Sequence, residues 1–112
     1  MIGVHKKIFM VLTMFAMPAF AQYGDPTAAG QVIYQKWCAP CHAPGVDEHY
    51  PGTVALQVKY QGKIPAALEE RTDLTVEMIT TFVRQGVSIM PSFRKTEISD
   101  DELQVLIDYL EK

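Results

Sequence analysis

Residues 38–42 read Cys-Ala-Pro-Cys-His and hold both cysteines of the chain. Two thiols two residues apart, followed at once by an imidazole, fit few architectures. They can be a redox dithiol, a tiny disulfide ring, part of a zinc site or the attachment point of a larger group. The choice matters because 112 residues suffice for one small domain with a limited core. Domains of that size commonly carry a staple or a cofactor. This run is the candidate for one.

The first 21 residues have another character. MIGVHKK is short and basic, and the following run to Phe20 is apolar, broken by Thr13 and Pro18. Ala19 and Ala21 then place small residues two apart. That layout predicts a cleaved secretory leader over residues 1–21. The competing reading is an anchor, but the run falls short of the ~20 residues of a spanning helix and contains a proline. Cleavage after Ala21 leaves a domain over 22–112 with no stable membrane insertion. It removes Lys6 and Lys7 and moves the formal charge from −3 to −5. A mildly acidic exported chain has no basic stripe for nucleic acid. Lys36, Lys59, Lys63, Arg71, Arg84, Arg94 and Lys95 are scattered along it, as on a solvated surface.

Asp25-Pro26 reads as a helix cap and first turn. The helix expected from there runs to Trp37, with Val32, Ile33 and Trp37 as its apolar positions. Residues 43–52 read as a loop. TVALQVKYQG allows a short helix, an irregular turn or a strand. Pro65 is a candidate start of a helical turn. Thr75 caps the next helix, with Leu74 and Ile79 as a hydrophobic staple and Met78, Ile79, Phe82 and Val83 at helical spacing. Gly86 ends it, and an extended loop around Met90-Pro91 follows. Ser99 to Glu102 form a capping box, stapled by Ile98 and Leu103, for a last helix with Leu103, Leu106, Ile107 and Leu110 on one face. The expectation is an all-α domain of three main helices and long loops. Loops of that length need something to pack around.

A disulfide across two residues closes a tiny ring and constrains little. A thioredoxin-type dithiol needs a preceding strand and a parallel sheet, and here a helix precedes it. A structural zinc takes four ligands, and beyond the motif the chain offers His49 but no second cysteine pair. Cys-x-x-Cys-His is also the attachment motif of c-type haem. Cys38 and Cys41 would add their sulfurs to the two haem vinyl groups, and His42 would turn its ring onto the iron. The second axial ligand is expected to be Met90, a loop methionine stiffened by Pro91. Met78 reads as core on a helical stripe. His49 lies seven residues after His42, too close to cross to the other haem face. His/Met ligation leaves no open position and raises the reduction potential, so the expected chemistry is single-electron transfer rather than catalysis. A haem sensor or catalytic haem module would need an open site.

With CAPCH, the MPSF loop and the capped last helix in this order, residues 22–112 resemble a class I c-type cytochrome. The resemblance implies a cytochrome c fold around one covalently bound haem c. It implies a close helix crossing, for which Gly30 and Tyr109 match, and a proline carbonyl that orients the proximal imidazole, for which Pro51 matches and Pro44 is the alternative. RQGVSIMPSF is also similar to the small cytochrome subunit of periplasmic flavocytochromes that oxidise p-cresol and related 4-alkylphenols. Residues 53–74 depart from the compact glycine-rich linker of that subunit. The likeness implies a periplasmic electron carrier fed by an exported dehydrogenase, a flavoprotein, and discharging to a downstream cytochrome or oxidase. A free shuttle without a dedicated partner is the alternative.

Overall fold

The computed structural model describes residues 25–45 and 49–112. The expected leader and its cleavage point lie outside them. Five α-helices follow in order: α1 (Pro26–Trp37), α2 (Ala39–His42), α3 (Pro51–Tyr60), α4 (Val76–Gln85) and α5 (Asp100–Leu110), with a 3₁₀ turn at Leu68–Glu70. Among the described residues no strand forms, and Val87 and Met90 make one isolated bridge. The fold is all-α, as expected.

The caps act where the sequence places them. Asp25 accepts from the Thr27 amide at 3.0 Å, and Pro26 opens α1. Thr75 accepts from the Met78 amide at 3.2 Å. Ser99 and Glu102 form the reciprocal box that starts α5. This box also explains the acidic run Asp100 to Glu102, since carboxylates suit a helix N-terminus.

α1 packs on α5 to form the centre of the molecule. Tyr34, Ile98 and Leu106 are fully buried, with Leu103, Ile107 and Leu110 around them. At the crossing a Cβ on Gly30 would lie 2.4 Å from Tyr109 Cβ and 2.4 Å from the Val105 oxygen. Only glycine allows that approach. The crossing also corrects the expected face of α1. Val32 is 68% exposed, whereas Gly30 and Tyr34 are buried. Two residues turn a helix by ~200°, so a face through Gly30 turns Val32 to solvent.

The expectation of three main helices with long loops is incomplete. The segment after the cysteines folds into α3 and closes with Gln61 in the left-handed region, φ 51°. Pro65 starts no helix; the 3₁₀ turn begins at Leu68. The cations are not all solvated either. Arg71 is 4% exposed, and Arg84 is largely covered.

Candidate functional site

The cysteine motif forms where α1 runs out. Cys38 still donates its amide to Tyr34 at 2.8 Å, and its own oxygen accepts from Cys41 and His42 at 3.0 and 2.8 Å. The result is the single turn α2. A turn that short leaves its last carbonyls without helical donors. Two buried hydroxyls supply them: Tyr34 donates to the His42 oxygen at 2.9 Å, and Thr53 to the Ala43 oxygen at 2.8 Å. The backbone of His42 is therefore held from α1 and from α3.

Cys38, Cys41 and His42 line a cavity of about 460 Å³, within the ~300–1,000 Å³ range of ligand sites. Its walls are mostly apolar side chains. α3 contributes one helical face: Pro51, Gly52, Ala55, Leu56, Lys59 and Tyr60. α4 contributes Met78, Ile79, Phe82 and Val83, and the loop after α4 contributes Met90 and Pro91. Trp37 and Phe93, stacked edge to face at 5.7 Å, also line it.

The polar groups in this wall are few and specific. Burial lowers the pKa of His42, which favours the neutral imidazole. Its Nδ1 is buried and has no hydrogen-bond partner. The expected bond to the Pro51 carbonyl is not formed; Pro51 opens α3 and lines the cavity with His42. Gly52 is closer still: a Cβ there would lie 2.6 Å from His42 Cε1. Burial, with Cys41 adding, pushes the Cys38 thiol up to about 12. That opposes the depressed pKa of a catalytic dithiol. The two thiols are not joined to each other.

Met90 and Met78 both line the cavity, the first from a loop and the second from the apolar face of α4. Met78 packs against the core cluster, as expected, and lines the cavity as well. His49 is exposed and does not line it, and neither does Pro44. Among the described residues no group of three or more His, Cys, Asp or Glu side chains gathers as a metal site. No helix among them is long and apolar enough to cross a membrane.

The sequence reading missed the α3 wall and the polar end beside it. Lys59 and Arg71 are the lysine and arginine of the wall, with Tyr60 between them; Arg71 Cζ lies 5.0 Å from the Tyr60 ring. Arg71 donates to both carboxylate oxygens of Asp73, at 2.8 and 2.6 Å. The signal was present as the 51/52, 55/56, 59/60 repeat, but Pro-Gly, Ala-Leu and Lys-Tyr do not read as an apolar stripe.

This donor set fits a haem: two thiols, a neutral imidazole with an orphaned ring nitrogen, a thioether and an apolar wall. Comparison with known proteins agrees. Residues 25–110 match the family model described as cytochrome C oxidase, cbb3-type, subunit III. The chain is also 30% identical to cytochrome c6 of Cyanidioschyzon merolae, over 91% of this chain and 86% of that protein. No solved structure gives a significant match. The chain belongs to this cytochrome c family, and it is a class I c-type cytochrome. Members of the class are haem-based electron carriers.

Proposed function

We propose that the protein is an exported single-electron carrier with one haem c held by thioethers to Cys38 and Cys41. The observation that carries this is an apolar cavity lined by Cys38, Cys41, His42 and Met90 together. In this reading His42 and Met90 would be the two residues that hold the iron. Lys59 and Arg71, the latter paired with Asp73, are the cations of the wall and would offset the charge of the haem carboxylates. Bound there, the haem supplies one-electron chemistry at its iron. The residues around it exclude water and keep both axial positions filled, which favours transfer over bond chemistry.

The finer reading is a periplasmic protein of residues 22–112, released by cleavage after Ala21. It accepts electrons from an exported flavoprotein dehydrogenase and passes them to a downstream cytochrome or oxidase. Its support is the leader-like first 21 residues and the RQGVSIMPSF stretch.

Gentle purification from the native host, with visible spectra of both oxidation states, tests it. Haem bands together with flavin absorbance in a larger species are expected. Haem bands on a species of monomer size at low salt would replace the dedicated partner with a free shuttle. A colourless protein would remove the haem reading altogether.

A further inference from the structure

We propose that Arg84 is the latch that keeps the Met90 loop closed on the cavity and so shuts the distal iron position to outside ligands. This rests on the reading of Met90 as distal ligand. Arg84 stands in the last turn of α4, and its side chain is 19% exposed. One guanidinium serves four oxygens. Nη1 donates to the Phe93 oxygen at 3.2 Å and the Ile98 oxygen at 2.8 Å. Nη2 donates to the Ser99 oxygen at 3.3 Å and Asp100 Oδ1 at 2.9 Å. The far end of the methionine loop is thereby bound to α4 and to the start of α5 together.

The same turn of α4 holds the rest of the loop. The Val83 oxygen accepts from the Phe93 amide at 2.7 Å. Gly86, at φ 69°, lets the loop fold back, and a Cβ there would lie 2.5 Å from the Met90 oxygen. Between these ends the tip has only its own tight turn, in which Val87 and Met90 exchange bonds at 3.1 and 2.9 Å. Val87 and Ile89 on that tip line the cavity with Met90. Beside the Phe93–Val83 bond, the hydrogen bonds that fix the far end of the loop, from Phe93 to the start of α5, are those of Arg84.

An outside ligand for the iron binds only when Met90 has moved off. Its apparent affinity then scales with the open fraction of the loop. The bonds of Arg84 exist in the closed state and favour it. Lysine keeps the charge but not the fork, so it cannot serve the separate carbonyls at once.

The test is a titration of the ferric holoprotein with imidazole, followed in the visible spectrum. Arg84→Lys is expected to raise imidazole affinity roughly tenfold or more, the loss of about one charge-assisted hydrogen bond. Asp100→Asn, which removes the charge of the one exposed partner and of its Lys95 pair but keeps an acceptor oxygen, is expected to raise it less than about fivefold. Tyr109→Phe, at the distant α1–α5 crossing, is expected to lower stability and leave the affinity unchanged. An Arg84→Lys protein that binds imidazole like the unmutated one overturns the latch. So does an equal rise in Tyr109→Phe, since the effect would then be general loosening. In the unmutated holoprotein the binding rate is expected to level off with rising imidazole, at the opening rate of the loop. A rate that rises in proportion throughout also overturns it. If Met90→Ala leaves the spectrum unchanged, the ligand assignment fails instead, whatever Arg84 does.

Discussion

His42 is fixed by its backbone more than by its ring. Tyr34 and Thr53 donate to the two carbonyls that end α2, and both donors are buried. Tyr34→Phe or Thr53→Val leaves a carbonyl without its donor, a loss of about 1–3 kcal/mol. Denaturant unfolding of the holoprotein should show it; midpoints matching the unmutated protein would contradict the clamp. The ring itself has an orphaned Nδ1, and a ligating imidazole ordinarily donates its second nitrogen to an acceptor. The two methionines separate at this scale as well. Met90→Ala should change the visible spectrum and lower the reduction potential, whereas Met78→Leu should leave the spectrum as it is. The opposite pattern would make Met78 the ligand.

Among the elements, α4 and α5 were legible because their signals are local. Thr75, the Ser99–Glu102 box and Gly86 each act within one turn, and a one-turn motif survives without knowledge of neighbours. α1 was legible in extent but not in orientation. Its face is set by a glycine and a tyrosine, Gly30 and Tyr34, and neither stands out on a hydrophobic count. Gly30→Ala should cost roughly 1–3 kcal/mol or more by overpacking the crossing, measured by unfolding. A cost near zero would mean the helices can part freely. α3 is legible in the sequence only as one of three options for TVALQVKYQG, because its inner face fits a cavity rather than a protein core. Leu56 and Ala55 supply contact, Gly52 supplies room and Lys59 supplies charge. No helical period of hydrophobicity encodes such a face. Arg84 looks like a surface residue in the sequence because its partners, three backbone oxygens and the Asp100 carboxylate, lie 9 to 16 residues away, which no local pattern announces.

At the scale of the molecule, the described chain is built around the cavity. α1 and α5 form the firm base, and α3, α4 and the methionine loop complete the walls. The segment from Tyr60 to Asp73 ties the polar end of that cavity to the fold through Arg71. The Arg71 bonds hold the Asp73 carboxyl below its ordinary value near 3.8. A carboxyl whose folded-state pKa is depressed stabilises fully above its unfolded value, and the effect is lost as pH falls through the folded one. Asp73→Asn should therefore destabilise the protein at pH 7 and lose that difference as the pH falls below about 4. An equal effect at both ends of the pH range would mean the pair acts through packing alone. The motif itself, CAPCH, is legible in the sequence, since its chemistry is written in three residues; the cavity that receives the group is not, because it draws on the five described helices and the loop between the last two.

The most direct test is the intact mass, under denaturing conditions, of the protein made in a host able to attach c-type haem. A chain carrying one haem that stays bound on unfolding, and loses it only when both Cys38 and Cys41 are replaced by alanine, is the predicted result. A mass equal to the polypeptide alone, with the visible colour lost on unfolding, would contradict covalent attachment at this site.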